Sequence, residues 1–239
     1  MKQGEKNITL TVVNVVNKTI DIVLLVFFLL LFLIGAYTMY DTLLIYNAAS
    51  DSNLKSFRPN IVDGETEWDM SVLSDDVVAW ITIDGTSIDY PILQGMNNSE
   101  YLNKDPFGKY SISGSIFMDY RNAPDFSDPY SLIYGHHMEY GHMFGALDDF
   151  MNEGYFNEHR TGTLIIGNNI YSIKFFACLE ADATNKAIFI PDSAEDALQY
   201  VQSNAHIWNE PNEGRLIALS TCKSDTTART ILFGVICNE

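Results

Sequence analysis

Basic residues are scarce in this chain: 14 Lys and Arg stand against 31 Asp and Glu, giving a formal charge of -17 and a pI near 4.4. A nucleic-acid partner is excluded on that ground, because binding a phosphate backbone needs clustered Lys and Arg. Cysteine is also sparse. Cys178, Cys222 and Cys237 make an odd count with no CxxC pair and no Cys/His spacing of a zinc site. At least one thiol therefore stays free unless chains are cross-linked. There is no internal repeat, no low-complexity tract and no EF-hand-like loop. Neither a metal site nor a cofactor is implied, and helix signals are few.

One long apolar run is present. Residues 22–40 carry no charge and are bracketed by Asp21 and Asp41. At 1.5 Å per residue such a run spans about 28 Å, the thickness of a bilayer's hydrocarbon core. It is read as a transmembrane anchor. A cleaved signal peptide is the alternative, with a shorter apolar region and a small-x-small site that is not well placed here. Lys2, Lys6 and Lys18 precede the run while only Lys55 and Arg58 follow it closely, so the positive-inside bias puts the N-terminus in the cytoplasm. The expected organisation is a cytoplasmic segment 1–21, an anchor 22–40, a helical lead-in and linker 41–75, and an extracellular domain 76–239. The protein is expected in the cell membrane as a single-pass chain.

From Val77 the texture changes to short β-branched runs separated by turn signals. Residues 77–83 and 87–93 flank Asp84-Gly85 and read as strand, turn, strand. Further strands are expected at 114–118, 131–134, 163–166, 169–177, 216–221 and 230–237. About eight short strands point to a mainly β fold, a barrel or a sandwich. Asp192 or Ser193 can cap a helix of about ten residues from Ala194, with acids in its first turn. Residues 143–151 form a weaker helical candidate.

Chemistry concentrates at strand ends. The runs 215–222 and 229–237 read as two strands joined by a turn-rich loop, with Cys222 closing the first and Arg229 opening the second. Antiparallel pairing with a symmetric loop sets the two residues opposite each other. Side-chain alternation puts Ala218 and Ser220 on the face of Cys222, leaving room above the sheet. A buried structural cysteine is the competing reading. Upstream, Tyr134-Gly-His-His137 follows a strand. Adjacent histidines on an extended segment point to opposite sides, so one at most reaches the cysteine, and the pair is a poor metal site. His142, His159 and His206 are read as ordinary surface residues, and Cys178 and Cys237 as structural. A cysteine, a histidine and an arginine at neighbouring strand ends suggest a cysteine nucleophile with acid/base and charge stabilisation.

The motifs Val78-Ala-Trp-Ile, Asp89-Tyr-Pro-Ile-Leu-Gln-Gly95, Asn98-Ser-Glu-Tyr-Leu102, Gly114-Ser-Ile-Phe-Met-Asp-Tyr-Arg-Asn122, Tyr134-Gly-His136, Met143-Phe-Gly145 and Leu219-Ser-Thr-Cys222, followed by Arg229, come in a fixed order. With the N-terminal anchor, that ordered set resembles the sortases, membrane-anchored cysteine transpeptidases of Gram-positive bacteria, and specifically class B. The resemblance covers about 75–235. It implies a closed eight-stranded β-barrel with a few peripheral helices. It further implies Cys222 as nucleophile, His136 as general acid/base and Arg229 as the stabilising cation, with Asn98, Leu102, Tyr134 and Ser220 near the substrate groove and specificity in the connection 181–192. The implied reaction cuts a C-terminal sorting signal of a secreted surface protein, holds the protein as a thioester on Cys222, and passes it to an amine of the peptidoglycan stem or cross-bridge. A thiol peptidase acting on the same signal and a catalytically silent peptide-binding module are the alternatives. The family's Thr-Leu-x-Thr-Cys reads Ala-Leu-Ser-Thr-Cys here, with Ala218 in place of the first threonine.

Overall fold

The structure, a computed structural model, describes residues 2–49, 52–62, 65–68, 71–191, 193–222 and 227–237. The chain forms two compact units, Met1–Ile45 and Tyr46–Glu239.

In the first unit runs helix α1 (Lys2–Ala49). Its segment Val12–Leu44 has a mean hydropathy of 2.8 and none of it is buried by protein. Among the described residues this is one helix long and apolar enough to cross a membrane. The apolar stretch is longer than 22–40 because Val12, Val13, Val15, Val16 and Ile20 extend the same uncovered surface towards the N-terminus. Thr19, Thr38 and Thr42 donate their hydroxyls back to the carbonyls of Val15, Gly35 and Thr38. These three hydroxyls then do not depend on water for a partner.

The second unit is built on eight strands: β1 (Val77–Ile83), β2 (Asp89–Leu93), β3 (Ile116–Met118), β4 (Tyr130–His136), β5 (Thr161–Ile166), β6 (Asn169–Asp182), β7 (Arg215–Cys222) and β8 (Ala228–Cys237). Their order is β8-β7-β4-β3-β2-β1-β5-β6, and β6 pairs back onto β8. The sheet is thus a closed barrel without a free edge among these strands. Closure rests on the length of β6, which pairs from Ala228↔Asp182 to Cys237↔Ser172 across one irregularity at Phe233/Gly234. Most neighbours are antiparallel, but β4–β7 and β2–β3 are parallel. Parallel neighbours need crossover connections, and the β4–β7 crossover carries most of the non-barrel structure.

Alternation sorts β4, β7 and β8 into two faces. Ile133, Ile217, Leu219, Leu232 and Ile236 belong to the core cluster that draws on all eight strands. Leu132, Leu216, Ala218, Ile231, Phe233 and Val235 form a second cluster on the outer face. Covering that outer face are α3 (Lys186–Phe189) and α4 (Ala194–Asn204), which contribute Ile188 and Val201 to the cluster. Of the two capping candidates, Ser193 accepts from the Asp196 N–H at 3.1 Å, while Asp192 lies outside the described residues. Before α3 in the chain comes α2 (Glu153–Glu158), capped by Asn152.

One end of the barrel is stoppered by residues Phe144–Met151. They form a 3-10 helix, not the α-helix their pattern suggested, and bury Phe144, Ala146, Leu147 and Phe150. Gly145 allows this segment to approach the Met138 carbonyl, which a Cβ at 145 would overlap. The lead-in also does more than link. Leu54 and Leu73 are buried in the main core with Phe57 and Trp68 packed against it, and Asn60–Val62 pairs with Glu65–Glu67 as a small hairpin.

Gly135 is in β4 for space, not for backbone freedom: a Cβ would lie 2.4 Å from Ile116 Cδ1 and 2.7 Å from the Phe144 ring. Gly135→Ala should therefore unseat the stopper helix and destabilise the domain by about 1–3 kcal/mol, the usual cost of overpacking. Thermal unfolding of the two proteins side by side measures this.

Candidate active site

Three of the eight strands, β4, β7 and β8, bring His136, Cys222 and Arg229 to one place. His136 is the last residue of β4 and Cys222 the last of β7, and the parallel ladder pairs them directly, from Leu216↔Tyr130 through Ser220↔Tyr134 to Cys222↔His136. The antiparallel β7–β8 register runs from Arg215↔Ile236 to Ser220↔Ile231, and continued two residues it sets position 222 opposite Arg229. Arg229 pairs on its other side with Ala181 of β6.

A groove of about 600 Å³ opens beside these strand ends, lined by residues that include Asn98, Leu102, Tyr134, His136 and Arg229. Ser220 is not in that lining. It is fully buried, and its hydroxyl donates to the Thr221 carbonyl at 3.3 Å. At a position where the outer face is covered, a small residue fills the sheet instead of opening it.

The adjacent histidines diverge as an extended segment requires. His136 Nε2–H donates to the Leu102 carbonyl at 2.7 Å, while His137 Nε2–H donates to Asp148 Oδ2 at 2.7 Å. A carbonyl oxygen only accepts, so the proton of a neutral His136 is on Nε2 and Nδ1 is the basic nitrogen. Leu102 thus acts through its backbone, holding the ring, in addition to the apolar contact its side chain offers.

Beneath the groove lies a residue to which sequence reasoning gave no role. Asp119, at the end of β3, has a side chain only 2% exposed. It accepts from Arg121 Nε at 2.8 Å and Nη2 at 2.7 Å, from the Arg121 N–H at 3.0 Å, from Asn98 Nδ2 at 2.8 Å and from the Tyr134 hydroxyl at 3.0 Å. Asn98 Oδ1 in turn accepts the Tyr120 N–H at 2.9 Å. Three groove-lining side chains, Asn98, Arg121 and Tyr134, are therefore fixed by one carboxylate. Burial alone would raise the Asp119 pKa, but the Arg121 fork, the Arg121 N–H and the Asn98 amide outweigh it and hold the carboxyl below its usual range. Burial, then the Asp119 charge, pushes the Tyr134 phenol up, so it remains a donor. The available signal was Asp119-Tyr-Arg121 directly after the buried strand Ile116–Met118, two opposite charges where an apolar run stops.

The wall opposite the strands comes from the connection expected to set specificity. Ala183, Phe189 and Ile190 line the groove. Phe189 stacks on Tyr134 at 6.4 Å between ring centroids with planes 12° apart, its carbonyl accepts from Arg121 Nη2 at 2.6 Å, and the Ile188 carbonyl accepts from the Tyr130 hydroxyl at 3.1 Å. Away from the groove, Cys178 is fully buried with its thiol 3.5 Å from Met151 Sδ, and desolvation first, then Asp148 and Glu180, raises its pKa to about 12. Such a thiol is inert at neutral pH.

Because the Asp119 pKa is lowered by folding, its carboxylate stabilises the fold above the unfolded value of about 4 and that contribution is lost as pH falls through the folded value. Asp119→Asn should lower stability at pH 7 by roughly 1–3 kcal/mol, the range for hydrogen bonds to a charged group. Thermal melts across pH 2.5–7 should show the gap between variant and parent closing towards the acid end.

Comparison with known proteins falls on the same strands. The family model described as Sortase domain matches residues 81–236. Sortase B of Listeria monocytogenes serovar 1/2a is 37% identical over 166 residues, covering 66% of this chain and 67% of that protein. A class B sortase of Streptococcus pyogenes involved in pilus biogenesis superposes with a TM-score of 0.65 at 40% identity, over 70% of this chain and 95% of that one. The Staphylococcus aureus sortase B–substrate complex gives 0.65 at 29% identity, over 71% and 82%, and sortase B complexed with triglycine gives 0.65 at 28%, over 71% and 83%. A barrel closed in this way, matched over most of its length by a family that acts through a cysteine, places the chain: it belongs to the sortase family, in class B, as a cysteine transpeptidase.

Proposed function

We propose that the catalytic trio of this sortase is Cys222, His136 and Arg229, and that the groove lined by Asn98, Leu102 and Tyr134 receives the sorting signal. The observation that carries this reading is the parallel register Cys222↔His136, which brings nucleophile and base onto neighbouring strands about 4.8 Å apart. Position 222 continues the outer-face series 216, 218 and 220, and Arg229 enters the same groove as His136.

The chemistry follows from those placements. An ordinary thiol has a pKa near 8.5 and is only a few per cent thiolate at pH 7. The guanidinium of Arg229 and an imidazolium at His136 both favour the anion. Attack by the Cys222 sulfur on the scissile carbonyl develops an oxyanion, for which Arg229 is the cation at hand. His136 Nδ1, the ring nitrogen not engaged by Leu102, gives its proton to the departing amine, leaving a thioester. The same nitrogen takes a proton from the incoming amine, which attacks the thioester and releases the thiol. The solved complexes of relatives with a substrate and with triglycine support a peptide donor and an amine acceptor. For this chain the donor is a surface protein with a C-terminal sorting motif and the acceptor a peptidoglycan amine. Helix α1 anchors the enzyme in the cell membrane, with the N-terminus cytoplasmic, residues 22–40 spanning, 41–75 leading in and 76–239 extracellular.

Full-length protein in detergent micelles, mixed with a small library of five-residue sorting peptides flanked by short spacers, should gain a mass adduct on a subset of peptides, and adding an amine should discharge it. Cys222→Ala should form no adduct. Arg229→Ala should acylate about 10²- to 10³-fold more slowly, the scale set by removing one oxyanion donor, and Arg229→Lys should recover only part of that, because an ammonium lacks the guanidinium fork. An adduct that water discharges as fast as amine identifies a peptidase; a Cys222→Ala protein that still acylates sinks the proposal.

A further inference from the structure

Each member of the proposed trio has an immediate chain neighbour on the opposite face of its strand, and those neighbours are joined. His137 follows His136, Thr221 precedes Cys222 and Thr230 follows Arg229. Asp148, on the 3-10 helix that stoppers the barrel, accepts from His137 Nε2–H at 2.7 Å through Oδ2 and from the Thr230 hydroxyl at 2.6 Å through Oδ1. Thr221 Oγ1 accepts the Thr230 N–H at 3.0 Å. Thr221 and Thr230 are fully buried or nearly so, at 0% and 1% exposure, on the core side of β7 and β8. The half-exposed Asp148 carboxylate thus ties the ends of β4 and β8 together, and Thr221 links β7 to the same Thr230, on the face of the strands opposite the groove.

We propose that Asp148 is a positioning residue for transpeptidation: by bridging His137 and Thr230 it sets the spacing of His136, Cys222 and Arg229, without touching substrate. This rests on the trio assigned above. The physical reason is leverage. Strand ends fray most where the ladder stops, and adjacent residues on an extended strand share one backbone, so fixing position 230 fixes position 229. Charge-assisted bonds from a hydroxyl and an imidazole to a carboxylate are short and directional, and catalytic geometry is sensitive to displacements on the scale of an ångström. The stopper helix therefore has a second task besides closing the core.

The test is the pH profile of iodoacetamide alkylation in the full-length protein, resolved by mass mapping at Cys222 and Cys178, for wild type, Asp148→Ala, Thr230→Val and Thr230→Ser. Alkylation follows the thiolate, so each unit by which the Cys222 pKa moves up is about tenfold in rate on the acid side. The expected result is a wild-type Cys222 profile below that of a free thiol. Asp148→Ala and Thr230→Val should move it up, slowing alkylation about tenfold at pH 6–7 on the same relation. Thr230→Ser should restore it, and Cys178 should stay unlabelled throughout. Cys178 reports the stopper helix because it touches Met151 of that helix. A low wild-type profile that survives Asp148→Ala overturns the brace alone. Labelling of Cys178 in step with the loss assigns Asp148 to stability and overturns it too. A wild-type Cys222 that behaves as a free thiol overturns the trio, and the brace with it.

Discussion

The parallel pairing of β4 with β7 is the constraint on which this structure depends. Two strands that run side by side in the same direction cannot be joined by a tight turn, so the chain between them must travel round the barrel and return. That excursion supplies the stopper helix, the long closing strand β6 and the outer cover made by α3 and α4. It also ends both strands at the same edge of the barrel. A histidine and a cysteine separated by some eighty residues of chain become lateral neighbours through backbone register alone, before any side chain makes a specific contact.

Alternation then divides the labour of the three strand ends between two faces. Outward positions carry the proposed chemistry and, one step along, the apolar cluster under α3 and α4. Inward positions carry small polar groups that answer to one carboxylate. Asp119 performs a similar service for the groove floor, fixing an amide from the Asn98 loop and a phenol from β4 at a single point. Both acids are held by donors on other elements, so the groove is defined by cross-links between segments and not by any one of them.

How much of this could be read from the sequence differs by feature. The strands were legible because their runs are short, β-branched and separated by turn residues, and the proposed trio could be named because Cys222, Arg229 and Gly135-His136 each sit at the end of such a run. The opposed directions of His136 and His137 followed from the period of an extended chain. The burial of Ser220 was not legible, because alternation gives the face of a residue but not what covers that face; the cover arrives from 186–204, earlier in the chain than β7 and packed back onto it. Asp119 and Asp148 went unassigned for a related reason. Such a carboxylate, buried at Asp119 and half-exposed at Asp148, is recognised by the donors that converge on it, and here these come from several separate segments. The close backbone approach between Gly145 and Met138 is likewise something that no periodicity records.

The roof over the groove is held largely by main-chain atoms. Arg121 and Tyr130 grip the carbonyl oxygens of Phe189 and Ile188, groups that every amino acid carries, while the Phe189 ring is stacked on Tyr134. Ile190 lines the groove and its side chain takes no part in these grips, so substitution there changes the groove wall and leaves the docking of the segment intact. The groove wall can therefore vary at position 190 while the two carbonyl grips, which any residue at 188 and 189 would offer, help to hold the segment in place.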